Sequence, residues 1–232
     1  MSVNCHVRRV SLCFAVLTLA FLGWSSCFAQ ENGKTAPVET AAINGTVTDQ
    51  TQAVAKQFKN VRVLVQTTNG GKSGAICAGI RASASDLLLF LDADLVGLTA
   101  EDVTALLQPV LRGNADASIS LRKDALLPWQ VLGLDYLSGE RVLCRDLLAG
   151  HLDEIAHLPG FGLESYINKV LINRDSRIRI VCWKQVGHTY KARKYGIWKG
   201  IAGEARMLMN IVETISLSGT ANQILLMLRQ RV

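Results

Sequence analysis

Apolar positions along the chain fall into short blocks divided by polar turns, and the blocks change period from one to the next. NVRVLVQ places a β-branched valine at every second position, which predicts a strand over Val61 to Gln66. The run Leu87 to Leu91 is apolar at successive positions, hence on both faces, as a strand inside a parallel sheet requires. ADASISL, from Ala115, predicts a further strand. Between these lie helical stretches. One runs over Thr51 to Phe58, with Asp49 near its start. A second is AICAGIRAS, small enough to pack close to a sheet, after a tight NGGKSG loop. A third begins at Thr99, where Asp102 three residues on completes a capping box, and continues to about Leu111. Strands alternating with helices at this spacing predict an α/β fold, with a mostly parallel, Rossmann-like sheet flanked by helices and right-handed crossovers. Ligands in such sheets sit beyond the carboxyl ends of the strands.

The first 29 residues do not share this pattern. Two arginines, a long apolar stretch and small residues up to Ala29 have the layout of a secretory leader, with Cys27 and Ala29 at the −3 and −1 positions; Val10 to Ala29 is also just long enough for a membrane anchor. Residues 30–42 are polar, contain Pro37 and predict a linker. The main domain then covers 43–200, and 201–232 predicts a helical tail whose apolar stretches are too short to span but suit an interfacial helix or core packing. With 232 residues, 49% hydrophobic and 19% charged, the chain suffices for one good core. A net charge of +6 suits a membrane surface or phosphorylated substrates. No Lys/Arg run with interleaved aromatics appears, so no nucleic acid is expected. Outside the leader, Cys77, Cys144 and Cys182 lack zinc spacing and form no disulfide framework; reduced thiols fit the cytoplasmic side and oppose the export signal.

The chemistry sits where the apolar run meets Asp92-Ala93-Asp94. One reading is a P-loop protein, with Gly71-Lys72-Ser73 closing a Walker A motif. That motif needs a glycine five residues before Gly71, and Gln66 stands there. The other is a metal–diphosphate site, since hard divalent cations take carboxylate and phosphate oxygens. The bland alternative is that the two aspartates open a turn.

The neighbouring motifs bear on the choice. Asn44-Gly45-Thr46-Val47-Thr48-Asp49-Gln50-Thr51, Gly71-Lys72-Ser73-Gly74-Ala75, Asp92-Ala93-Asp94, Ser138-Gly139-Glu140-Arg141, Gly160-Phe161-Gly162-Leu163-Glu164 and the basic Lys194-Tyr195-Gly196-Ile197-Trp198-Lys199 follow one another in order. In this order and spacing the chain resembles the family 2 glycosyltransferases of the GT-A fold, nearest their polyprenyl-phosphate (dolichyl-phosphate sugar synthase-like) branch. The resemblance implies transfer of a sugar from a nucleotide-sugar to an acceptor, a polyprenyl phosphate in that branch, with Mg²⁺ or Mn²⁺ at a membrane surface. It implies that Asp92, Asp94 and, more weakly, His188 hold the metal, that Lys72 joins Asp92 and Asp94 at the donor, and that Asp92 and Glu164 are catalytic, Glu164 as base. Arg141, Lys194 and Lys199 would meet acceptor or donor phosphate. The family's opening strand and its P-x-x-N-E segment are missing or replaced, as the leader and linker stand there. An exported, catalytically inactive relative that only binds is therefore the alternative function.

Overall fold

The computed structural model describes residues 10–15, 41–42, 62–66, 70–92, 94–158, 162–188 and 217–232. In chain order these are β1 (Val10–Ala15), β2 (Ala41–Ala42), β3 (Val63–Leu64), α1 (Gly71–Ala82), β4 (Leu87–Asp92), β5 (Leu95–Val96), α2 (Ala100–Leu111), β6 (Ala117–Arg122), α3 (Leu127–Leu132), β7 (Arg141–Cys144), α4 (Leu152–Ala156), α5 (Gly162–Asn173), β8 (Ile178–Trp183), β9 (Gly187–His188) and α6 (Leu217–Arg229).

The main sheet has the order β1-β4-β7-β6-β8. β1 runs parallel to β4 and β6 parallel to β8, while β7 lies antiparallel between β4 and β6. Four of the five strands thus share one direction, as a mostly parallel sheet requires. The apolar run explains why β4 sits inside: Leu87 to Leu91 are each 3% exposed or less. Helices α1, α2 and α5 bring Ile76 and Ile80, Val103 and Leu106, and Leu163 and Ile167 into the same core. The capping box at Thr99 forms as expected, with its side chain and that of Asp102 each accepting from the other's backbone N–H.

Two local expectations are corrected. The glycine-rich stretch after Gly70 is not a loop: α1 starts at Gly71, so Lys72 and Ser73 lie in its first turn. Gln66 secures that start by donating to the Gly74 carbonyl at 2.9 Å. The strand expected over Val61 to Gln66 shrinks to Val63–Leu64. The slot beside β4 where the opening strand was missing is filled by Val10–Ala15, from the leader-like stretch. Pairing there and removal as a leader exclude each other in one molecule. The helix expected over Thr51 to Phe58 and the Asn44–Thr51 motif lie outside the described residues.

Among the described residues no helix is long and apolar enough to cross a membrane. Cys77 and Cys144 are buried and Cys182 is exposed, none of them in a disulfide. Asp116 ties the start of β6 to β8, accepting from Arg177 N at 2.8 Å and Nη2 at 2.9 Å. Burial pushes its carboxyl up, but the Arg177 hydrogen bonds outweigh this and hold it below the usual carboxylate range. Asp116→Ala is expected to cost about 1–2 kcal/mol at neutral pH. Because the folded-state pKa is depressed, this stabilisation is complete above the unfolded value, about 3.9, and disappears as pH falls through the folded one. Urea unfolding of both proteins between pH 7 and 3 checks it: a gap that does not shrink at low pH contradicts the account.

Candidate functional site

The site begins at the carboxyl end of β4. Asp92 is its last residue, and Asp94 lies in the turn before β5. β5 pairs antiparallel with β9, Leu95 opposite His188. Gly97 lets this pair close: its φ is +80°, and an added Cβ would lie 2.8 Å from the Gln185 carbonyl oxygen. The pairing carries His188 into the site from nearly one hundred positions away. Its Nε2 is 3.5 Å from Asp94 Oδ1 and 3.9 Å from Asp92 Oδ2. The Asp124 carboxylate fixes the His188 backbone, accepting from its N–H at 2.6 Å.

On the other side, Lys72 reaches up from the first turn of α1. Its Nζ donates to Asp92 Oδ1 and to Glu164 Oε1, both at 2.8 Å. Burial works against the ammonium charge, but the two carboxylates prevail and raise its pKa. The effect on Asp92 is reciprocal: burial would raise its carboxyl, yet Lys72 keeps it below the usual range. Glu164, in the first turn of α5, is 2% exposed, and its Oε2 has no hydrogen-bond partner among the described residues. A small cavity opens between these groups, lined by Lys72, Asp92, Arg141 and Glu164 with Phe90 and Leu163.

A second charged cluster supports the first from beneath. At the end of β6, Arg122 is 9% exposed. Its guanidinium bonds Glu140 through Nη1, approaches Asp135 through Nη2 at 3.3 Å and faces Asp124 at 3.4 Å. Ser120 and Ser138 donate to the same Glu140 oxygen, Oε2, at 2.8 and 2.9 Å. Asp92, Glu140 and His188 each offer one atom to a group spanning at most 4.8 Å, the donor set of a divalent-cation site. Arg122, Asp124, Asp135 and Glu140 were not singled out from sequence. The available signal was the charged Arg122-Lys123-Asp124 stretch at the end of a predicted strand, and the acidic residue within Ser138–Arg141.

The geometry therefore joins Lys72, Asp92, Asp94, Glu164 and His188. Arg141 lines the same cavity, but its guanidinium is already engaged. That side chain is 1% exposed and points inward, donating to the Ser138 carbonyl and, at 3.0 Å, to Asn168 Oδ1. A fully buried guanidinium with backbone and α5 as its partners braces the helix that carries Glu164. Lys194 and Lys199, like Gly160 and Phe161, lie outside the described residues.

Residues 24–138 match the family described as glycosyl transferase family 2. No curated protein matches the chain. Among solved structures, the chain is similar to glucosyl-3-phosphoglycerate synthase from Mycobacterium tuberculosis in complex with Mn²⁺, uridine diphosphate and glucosyl-3-phosphoglycerate. The identity is 19% over 89% of this chain and 79% of that one, with a TM-score of 0.62. Against the same enzyme with phosphoglyceric acid the values are 22%, 78%, 72% and 0.57. Against its complex with Mg²⁺ and uridine diphosphate they are 21%, 78%, 72% and 0.56. At such identities the likeness establishes the fold, the GT-A architecture expected from sequence.

Proposed function

Residues 24–138 place this chain in glycosyl transferase family 2, and from that premise we propose that it moves a sugar from a nucleoside-diphosphate sugar to a phosphate-bearing acceptor. The observation that carries the proposal is the convergence of Asp92, Asp94 and His188 at the carboxyl end of β4, beside the unpartnered Glu164 Oε2.

Asp92, Asp94 and His188 would hold a divalent cation, which when bound offsets the negative charge growing on the departing diphosphate. The solved relatives bind Mn²⁺ or Mg²⁺ with uridine diphosphate, which supports a uridine nucleotide as the donor to test first. The remaining work falls to side chains of this chain. Lys72 anchors Asp92 and Glu164 to one ammonium, which sets the distance between the donor side and the acceptor side. In the reaction the bond from the sugar C1 to the diphosphate oxygen breaks and one to the acceptor oxygen forms. A hydroxyl acceptor loses its proton to Glu164 Oε2, a carboxylate oxygen free to take it. An acceptor that attacks through phosphate oxygen is already an anion and asks of Glu164 only positioning.

Two acceptor classes share the phosphate. The sequence resemblance favours a polyprenyl phosphate at a membrane surface; phosphoglyceric acid occupies the solved relative. Transfer from uridine diphosphate-glucose to each acceptor, with and without Mn²⁺, tests the reading and separates the two. Asp94→Asn is expected to abolish metal-dependent donor binding. Since Asp94 is half exposed, its unfolding free energy should stay within about 0.5 kcal/mol of wild type. Unchanged metal-dependent binding in that variant would refute the assignment, and absence of turnover with a bound donor would favour the binding-only alternative.

A further inference from the structure

Two side chains outside the site bear on Glu164 through the helix that carries it. Tyr136 lies between α3 and β7, just before Ser138, and is fully buried. Its hydroxyl has one proton to give. The acceptor at 2.6 Å is Gln223 Oε1, from α6. At 3.2 Å the same hydroxyl meets Oγ of Ser165, the residue after Glu164. The Tyr136 backbone carbonyl accepts from Asn168 Nδ2 at 2.9 Å, and Asn168 stands one turn beyond Glu164 on the same face of α5. Tyr136 therefore grips α5 at two points nearly one turn apart, which limits both its rotation and its slide along its axis. A buried phenol needs a partner, and α6 supplies it. That helix is itself fastened along α5. Met227 is buried in the core, and Gln230, just past the end of α6, donates to the Ile172 carbonyl and to Asp175 Oδ1, each at 3.2 Å.

We propose that Tyr136 and Gln223 are positioning residues for Glu164. Gln223 holds the Tyr136 hydroxyl, and Tyr136 holds the first turns of α5 at the rotation that sets Glu164 against Lys72. The proposal rests on the transferase reading of the site and adds to it the elements that fix its acceptor side. Glu164 meets Lys72 through Oε1 at 2.8 Å, while Oε2 has no hydrogen-bond partner among the described residues. The backbone of α5 therefore decides where that second oxygen points. The donor side is built differently. Asp92 is set by the end of β4, by Lys72 and by its seat against Gly139, and His188 by the β5–β9 pairing and Asp124. None of these supports runs through Gln223 or the Tyr136 hydroxyl. Arg141 braces Asn168 independently, donating to its Oδ1 at 3.0 Å, so loss of Gln223 shifts α5 without freeing it. A supporting shell of this kind holds a reacting group to the productive geometry without touching substrate.

The test compares the full-length wild type with Gln223→Leu, which keeps the bulk and removes the acceptor, and Gln223→Glu, which restores an acceptor oxygen at the same reach. Transfer from uridine diphosphate-glucose with Mn²⁺ is measured to phosphoglyceric acid and to a polyprenyl phosphate, and binding of uridine diphosphate with Mn²⁺ by calorimetry. Gln223→Leu should lower kcat about tenfold or more with nucleotide affinity within about twofold of wild type, since a displacement of about 1 Å can cost a hundredfold. Gln223→Glu should recover most of that loss. Tyr136→Phe should match Gln223→Leu, and the double variant should lose no more than either alone, because both remove one link. Gln230→Leu loosens α6 at the far end of α5 and is the stability control, with a lower thermal midpoint and wild-type kcat. Hydrogen exchange reads the link without turnover: in Gln223→Leu it should quicken over residues 162–173 and stay unchanged over 87–92. Wild-type kcat in Gln223→Leu, an equal kcat loss in Gln230→Leu, or unchanged exchange over 162–173 overturns the proposal and leaves the transferase reading standing. Absence of transfer by wild type to either acceptor removes that reading and the proposal with it.

Discussion

Arg122→Met is expected to destabilise the protein by about 3–5 kcal/mol at neutral pH, the range seen when one partner of a buried ion pair is removed. The reason is geometric. Its guanidinium is the cation shared by Glu140, Asp135 and Asp124, whose side chains are 0%, 3% and 11% exposed. Methionine fills much of the same volume but leaves these carboxylates facing one another without a counter-charge. Asp135 already shows the strain of the position: burial pushes its carboxyl above the usual range even though Arg122 pulls it down. Without Arg122 the buried carboxylates gain protons more readily in the folded state than in the unfolded one. Folded-state pKa values raised in this way make the penalty smallest at low pH and largest once the groups ionise. The gap in urea midpoint between wild type and variant should therefore narrow from pH 8 to pH 5. A gap of under 1 kcal/mol at pH 8, or one that widens on acidification, would show that Arg122 does not neutralise this cluster.

The contrast between Asp92 and Arg122 explains what was legible in the sequence. Asp92 was visible because an apolar strand running into a carboxylate is a local contradiction, readable within seven residues. β4, α2 with its capping box and β6 were visible for the same reason, since period and caps are local. His188 was a weak candidate: its role depends on β5–β9 pairing, and both strands are two residues long, too short to leave a pattern. β7 escaped notice because RVLC is only four residues, and its antiparallel direction follows from the connections around it. Arg141 was ambiguous because an arginine inside such a motif reads equally as an anion receptor or as an internal brace. Only burial separates the two, and burial is a property of the assembled sheet. Lys72 was placed near the donor on a loop; the helix start that aims it at both Asp92 and Glu164 was masked by the glycines around it.

Gly139→Ala is expected to disable the site while leaving the fold in place. The Asp92 carboxylate lies directly over the glycine: a Cβ there would be 2.4 Å from Oδ2, 2.5 Å from Oδ1 and 2.6 Å from Cγ. Real contacts of that kind do not occur, so one side must move. Asp92 has a short side chain, and Lys72 holds its Oδ1 at 2.8 Å. If Asp92 turns away, it leaves His188 and Glu140. If the backbone around Gly139 retreats instead, Glu140 moves with it, since it is the next residue. Both routes break the convergence on which cation and diphosphate binding depend. A displacement of about 1 Å in such a site costs on the order of a hundredfold in function. The stability loss should be the smaller effect, about 1–3 kcal/mol, typical of one methyl group forced into a packed site. Gly150→Ala, where an added Cβ meets nothing within 4 Å, is the control and should behave as wild type in both respects. The mechanism has a sharper signature in the double variant. Asp92→Ala removes the atoms that the new Cβ strikes, so Gly139→Ala should cost much less stability in that background than alone. Equal costs in the two backgrounds, or Mn²⁺-dependent uridine nucleotide binding undiminished in Gly139→Ala, would mean that the close approach of Asp92 to Gly139 does not position the carboxylate.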